Sequence, residues 1–427
     1  MNETNRLCCI ADDFTGASDI ASFFSAEGLM TLVTNGIPGE EMDTEGADVV
    51  VIALKTRTTE VDEAVCENRQ ALEWAVRNRF GKFYFKYCST FDSTPKGNIG
   101  PVADMMMEEL GVSYTIVCPS LPVNGRTVKN GILYVNGVPL SESPMKHHPL
   151  TPMTNSDIRV LLSEQSKYPV IQLDEAAALG DSGRTKEMLE EMTRKWEHYY
   201  VVPDYYLESH GKAIADYFDD LVLYTGGSGL ASHLGRNMAL RCGESNDKHP
   251  VAGVEGSSLI IAGSCSTATL GQIDRYITEG LPYIKVEPEM LVLGLQTIET
   301  LWDFIAAHKD GPVLVFSSDT PENIRKVQEH GSGEISKLLE NMMSELASKA
   351  VESGLRKLIV AGGETSGAVT MKLGYRAFSV GRNVAPGVPV LMPLDNKKMR
   401  LVLKSGNFGR GEFFLDALRI MGESNVD

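Results

Sequence analysis

No two of the seven cysteines are spaced as CxxC, and their number is odd. Cys8, Cys9, Cys66, Cys88, Cys118, Cys242 and Cys265 are scattered, mostly inside strand-like runs. That argues against a zinc site built on paired cysteines. It fits reduced, packed thiols in a cytoplasmic protein better than a disulfide framework. Positive charge is scarce: 40 Lys and Arg against 57 Asp and Glu leave a formal net charge of −17. Neither nucleic acid nor an anionic membrane is an expected partner of such a surface, so an anionic substrate would need a local basic pocket. No apolar run approaches the roughly 20 residues of a membrane span. The polar start, Met1 to Arg6, leads straight into a strand and predicts no secretory leader. Neither G-x-G-x-x-G nor G-x-x-x-x-G-K-[ST] occurs, which removes the standard dinucleotide and P-loop signatures.

Strand-like and helix-like segments do alternate throughout. Arg6–Ala11, Val49–Leu54, Lys82–Cys88 and Tyr114–Cys118 read as strands, with helical patterns at Val61–Arg79 and Val102–Leu110 between them. Asn136-Gly137 after Ile132–Val135 signals a hairpin, and Ser143–Thr154 reads as a long irregular loop. The polar stretch Leu240–Gly256 reads as a linker. A second alternating series follows, from Ser258–Ala262 to a last helix over Glu412–Ile420. The expected fold class is α/β: two α/β domains with largely parallel sheets and a ligand cleft between them, over residues 1–240 and 257–427.

At the end of the first strand stand two carboxylates, Asp12 and Asp13, followed by the small residues Thr15 to Ser18 that open a helix. Ligands of open α/β sheets bind outside the carboxyl ends of strands. Acids accept hydrogen bonds from hydroxyls and can remove a proton, while a helix N-terminus favours an anion. The pair therefore suits a polyol that also carries a carboxylate. The plainer alternative is one capping Asp and one solvated Asp. Two further strand ends add polar groups. Ser89 to Asn98 offers hydroxyls, Asp92 for substrate hydroxyls and Lys96 for a carboxylate. Pro119 to Arg126 offers Arg126, and Lys55-Thr56-Arg57 follows Val49–Leu54. Three consecutive strand ends that supply Lys or Arg in an acidic chain point to an anion pocket, although each base alone fits a solvated surface. His147-His148, adjacent in an extended loop, point to opposite sides and suit a loop or a lid contact better than a metal.

The second series carries three Gly- and Ser-rich turns after apolar strands: Gly263 to Thr267, Gly362 to Gly367 and Ser405 to Gly409. Glycine lets backbone N–H groups approach phosphate oxygens, and a following helix adds its positive end. Three such turns in one domain suggest a nucleotide phosphate site. A fourth, Thr225 to Gly229, ends the first domain.

As an ordered set, residues 11–17 (ADDFTGA), 92–98 (DSTPKGN) and 362–367 (GGETSG) resemble the four-carbon acid sugar kinase family. Residues 89–101 and 147–154 are similar to its 3-oxo-tetronate kinase branch; threonate and erythronate kinases more often show Leu-Arg where this chain has Pro95-Lys96. The resemblance implies a sugar-acid-binding N-terminal domain, a nucleotide-binding C-terminal domain, and ATP with Mg2+ as the phosphoryl donor. It implies phosphorylation of the terminal (4-) hydroxyl of a four-carbon acid such as 3-dehydroerythronate, in the cytoplasm. Ser264, Gly362, Gly363, Glu364, Thr365 and Gly406 would contact ATP. Asp12, Asp13, Asp92, Lys96 and Arg126 would contact the sugar acid, with Asp13 or Asp12 taking the hydroxyl proton. Domain closure would exclude water. A threonate or erythronate kinase, or a non-catalytic sugar-acid sensor, is the alternative. The metal ligands and the oligomeric state, homo-oligomer or not, stay open.

Overall fold

The computed structural model describes residues 5–148, 150–174, 182–242, 251–319 and 332–423. The chain divides into two compact units, Met1–Lys248 and His249–Asp427. Residues 243–250 of the expected linker lie outside the described residues.

The first unit contains β1 (Leu7–Ala11), α1 (Phe14–Ala26), β2 (Thr31–Asn35), β3 (Val49–Ala53), α2 (Val61–Arg77), β4 (Lys82–Lys86), α3 (Ile99–Leu110), β5 (Tyr114–Cys118), β6 (Arg126–Lys129), β7 (Ile132–Val135), β8 (Val138–Pro139), α4 (Ile158–Ser163), β9 (Val170–Leu173), α5 (Ser182–Lys195), β10 (Tyr199–Pro203), α6 (Glu208–Tyr217), β11 (Leu223–Gly226) and α7 (Ala231–Cys242). Its sheet has the order β2-β3-β1-β4-β11-β5-β10-β9, and every pair is parallel. Covered on both faces, its central strands read as continuous apolar runs; all five residues of β1 are fully buried. Ala53, Ala11, Lys86, Gly226 and Cys118 are successive register partners, so five strands end in one row. The strand order reverses at β1, which makes the loop after it a topological switch point. The hairpin expected at Asn136-Gly137 joins β7 to β8, with both residues at positive φ (52° and 80°), as a type I′ turn requires.

The second unit contains β12 (Ser258–Ala262), α8 (Thr267–Thr278), β13 (Tyr283–Lys285), α9 (Pro288–Val292), α10 (Ile298–Ala307), β14 (Pro312–Phe316), α11 (Ser332–Glu352), β15 (Lys357–Ala361), α12 (Gly363–Leu373), β16 (Ala377–Ala385), β17 (Val388–Pro393), β18 (Arg400–Lys404) and α13 (Phe413–Gly422). Its sheet runs β13-β14-β12-β15-β18-β17-β16, parallel from β13 to β18 and antiparallel beyond. The switch point falls between β12 and β15. Ala262, Ala361 and Lys404 share a register row. Both units are α/β with largely parallel sheets. Among the described residues no helix is long and apolar enough to cross a membrane.

Candidate functional site

Two sets of strand-end residues form candidate sites, one in each unit. In the first, the row of strand ends brings Asp12 and Asp13 (after β1), Arg57 (after β3) and the Ser89 to Asn98 loop (after β4) together. Backbone bonds fix the frame: Asp12 N–H donates to the Lys86 carbonyl (3.0 Å), and Thr56 N–H to the Asp12 carbonyl (3.1 Å). Asn98 is buried and donates to the carbonyls of Thr56 (2.7 Å) and Thr59 (3.0 Å), tying the β4 loop to the β3 loop.

Arg57 organises the acids. Its Nε and Nη2 donate to the two oxygens of Asp12 (2.9 and 2.7 Å), and Nη2 donates again to Asp13 Oδ1 (2.7 Å). Asp13 is also the N-cap of α1, its Oδ1 accepting from Gly16 N–H at 2.9 Å. Capping and charge pairing thus share one oxygen. Both Asp12 oxygens are engaged, whereas Asp13 Oδ2 has no hydrogen-bond partner among the described residues, and the Asp13 side chain is 30% exposed. Burial pushes the Asp12 carboxyl up and Arg57 works against it. Burial also opposes a charged Arg57, but Asp12 and Asp13 hold its proton more firmly than water would.

Behind this pair lie two buried charges. Lys86, 3% exposed, donates from Nζ to the Tyr87 carbonyl (2.8 Å) and is felt electrostatically by Asp12 and Asp19. Asp19 accepts from Ser228 Oγ through Oδ2, while its buried Oδ1 has no partner among the described residues. Burial raises the Asp19 carboxyl, and Lys86 and Ser228 pull it down. Three carboxylates face two cations, so the site is nearly charge-balanced from within.

A small cavity opens beside them, lined by Asp12, Arg57, Phe91, Asp92, Ser93 and Asn98 among others. Asp92 accepts from Thr90 Oγ1 at 2.7 Å. Phe91 and Asp92 both sit at positive φ, 65° and 43°. An Asp tolerates that region, but a bulky Phe there costs about 1–3 kcal/mol and persists because packing over-determines the loop. The structure does not bring every expected residue to this cavity. Lys96 is exposed, with no bond to any described residue. Arg126 lies in β6 on the small three-stranded sheet, donates through Nη1 to the Asn124 carbonyl, and has a buried Nε without a partner among the described residues. His147 is exposed, and His148 Nδ1 is engaged by Thr151 (2.8 Å to Oγ1). Sequence reasoning offers Arg57 only as one base of an anion pocket and singles out neither Lys86 nor Asp19. Arg57 was one of several exposed-looking bases, and Lys86 ends an alternating KFYFK run that reads as ordinary strand.

In the second unit the three glycine turns converge. Gly263 and Ser264 N–H donate to the Ala361 carbonyl (2.9 and 3.2 Å), and Gly362 N–H donates to the Lys404 carbonyl (2.9 Å). A Cβ at Gly406 would lie 2.3 Å from Ser264 Oγ, and one at Gly263 would lie 2.3 Å from Thr365 Oγ1. A Cβ at Gly362, whose φ is +136°, would meet Thr365 Oγ1 at 3.0 Å and Ser264 N at 3.2 Å. The turns therefore touch, and only glycine lets them. Gly362 starts α12 with no side-chain cap, leaving first-turn N–H groups without a side-chain acceptor. Gly363 and Glu364 are exposed at that helix start. Such a cradle fits a phosphate group.

Beneath the cradle is Lys404, 1% exposed. Its ammonium donates to Gln272 Oε1 (2.7 Å), Thr269 Oγ1 (3.0 Å) and the Gly406 carbonyl (3.0 Å). Burial alone lowers its pKa to about 8. Among the described residues, no group of three His, Cys, Asp or Glu side chains could hold a metal. A magnesium ion that keeps its waters and rests on substrate phosphates needs no such cage.

Residues 7–234 match a family model described as a sugar-binding N-terminal domain, and residues 259–414 match one described as a nucleotide-binding C-terminal domain. The chain is 40% identical to a 3-oxo-tetronate kinase of Brucella melitensis, covering 98% of this chain and 96% of that protein. It is 41% identical to a 3-oxo-tetronate kinase of Cupriavidus necator, covering 97% of each. A crystal structure of a Haemophilus influenzae protein superposes with a TM-score of 0.85 at 38% identity, over 97% of this chain and all of that one. A Salmonella typhimurium protein provisionally labelled a tRNA synthase superposes at 0.89, with 36% identity, over 97% of this chain and 99% of that one.

Proposed function

Since this chain belongs to the four-carbon acid sugar kinase family and is a sugar-acid kinase, we propose that it moves the γ-phosphoryl group of ATP to the terminal hydroxyl of a 3-oxo-tetronate such as 3-dehydroerythronate. The curated relatives carry the name 3-oxo-tetronate kinase. The first unit holds the sugar acid and the second holds the nucleotide, with Ser264, Gly362, Gly363, Glu364, Thr365 and Gly406 at the phosphates. Mg2+ travels with the nucleotide and neutralises its phosphates. Free thiols among the described cysteines suit the reducing cytoplasm.

Asp13 is the base, and the observation that carries this is its divided carboxylate. Oδ1 is fixed by Gly16 N–H and Arg57, which sets the orientation, while Oδ2 is open to a hydroxyl. Asp12, engaged at both oxygens, positions Arg57 instead. Phosphoryl transfer needs alignment and charge neutralisation more than covalent help, so a base held in one rotamer is the main contribution of this site. Asp92 and the cavity beside it hold the remaining hydroxyls. Lys96, unpaired on its turn, reaches the substrate carboxylate.

The test is ADP release with ATP, Mg2+ and a panel of 3-oxo-tetronate, threonate and erythronate, with phosphorus and carbon NMR locating the new ester. The expected result is turnover of the 3-oxo acid with phosphate on its terminal carbon. Preference for an unoxidised acid would move the chain to the threonate or erythronate kinases, and binding without turnover would make it a sensor.

A further inference from the structure

A buried ammonium without a carboxylate is rare, because desolvating an unpaired charge is costly. Lys404 is such a group. Its three acceptors are a hydroxyl, an amide and a carbonyl, all neutral. The ring of Phe413 stands 5.5 Å from Nζ. Among the described residues, no charged side chain on the surrounding elements faces it. Arg275 pairs with Glu279 and Glu412, Asp416 pairs with Arg419, and Glu364 is exposed. Yet the ammonium sits directly under the glycine cradle, bonded to the same Gly406 carbonyl that Ser266 and Thr269 hold in place.

We propose that the counter-charge of Lys404 is the nucleotide itself: the phosphates bound at the Gly263, Gly362 and Gly406 turns complete an ion pair that the protein leaves half-built. This rests on the reading of those turns as the nucleotide site. Two consequences follow from charge linkage. Nucleotide binding favours the protonated lysine, so a fraction of a proton is taken up on binding wherever the free protein holds the lysine partly neutral. The free group titrates near pH 8. Affinity therefore holds steady below that pH and weakens above it, by roughly tenfold per pH unit while the bound lysine stays protonated.

The experiment is calorimetric titration of the full chain with MgADP between pH 7 and 9.5, in pairs of buffers with different heats of ionisation. The expected result is an uptake of about half a proton per ADP near pH 8, shrinking toward pH 7, with Kd rising above pH 8. In Lys404→Met the uptake vanishes, the pH dependence flattens, and ADP binds about tenfold or more weakly at pH 7. A lysine that only braced the turn would weaken binding in the variant, but the wild-type protein would show no proton uptake and a flat profile; that outcome overturns the proposal. The wild-type titrations decide it even if the variant fails to fold. If the wild-type chain binds no ADP at all, the nucleotide reading of the turns fails, and this inference falls with it.

Discussion

Two lysines end buried parallel strands, one in each unit, and their surroundings differ in kind. Lys86 closes β4 among carboxylates: Asp12 and Asp19 feel its charge, and Arg57 completes a nearly balanced group. Lys404 closes β18 among neutral acceptors and, among the described residues, has no charge opposite it. The first unit is electrostatically finished before any ligand arrives, as suits a site that handles hydroxyls and one proton. The second is left positive, and its other contacts are backbone N–H groups at touching glycine turns, as suits a polyphosphate. Side-chain acids give directionality to a proton transfer. Backbone dipoles and one cation give attraction to an anion whatever its fine position.

The sharpest way to break this contrast is Asp13→Asn. The amide oxygen still caps α1, so stability should barely move. The amide cannot take a proton, so kcat should fall roughly 10²–10⁴-fold with ADP affinity unchanged. Near-normal turnover in Asp13→Asn, with loss in Asp92→Asn instead, would transfer the base to the cavity wall. Next is Arg57→Met. It leaves Asp12, 8% exposed at its side chain, without a partner. Loss of one member of a buried pair costs on the order of 3 kcal/mol, which urea unfolding would detect. Arg57 supports Asp12 most at a pH where that carboxyl is ionised. The variant's deficit should therefore shrink as pH falls and Asp12 is protonated, because its raised pKa is largely a burial effect. The smallest effect belongs to Lys96→Met. An exposed, unbonded lysine contributes little to stability, within about 0.5 kcal/mol. Its loss should raise the KM for the sugar acid by roughly tenfold and leave that for ATP alone. Equal effects on both constants would remove it from the substrate carboxylate.

Much of this was legible in the chain itself. Alternation of apolar runs with helical spacing dictates two α/β units, and an Asp-Asp pair or a Gly-Gly pair just past a buried strand marks the two switch points, at β1 and between β12 and β15. What sequence could not reveal was pairing across loops. Arg57 is 44 residues from Asp13, and only the shared register of β1 and β3 brings them together. Lys86 and Lys404 end the runs KFYFK and RLVLK. A lysine at a strand end reads as a solvated terminus until the loops beyond it are seen to close over. Nor does the sequence reveal that the strand end before Arg126 feeds a separate small sheet.

The central claim, that one site is charge-balanced and the other awaits its anion, is tested most directly by thermal unfolding of Lys86→Met and Lys404→Met at pH 7, with and without MgADP. Removing Lys86 strands buried carboxylates, so its Tm should fall, and ADP should still raise it as much as in the wild type. Removing Lys404 relieves an unpaired buried charge, so its ligand-free Tm should stay near wild type while the ADP-induced rise shrinks. A Lys404→Met protein as destabilised as Lys86→Met, yet still fully stabilised by ADP, would contradict the account.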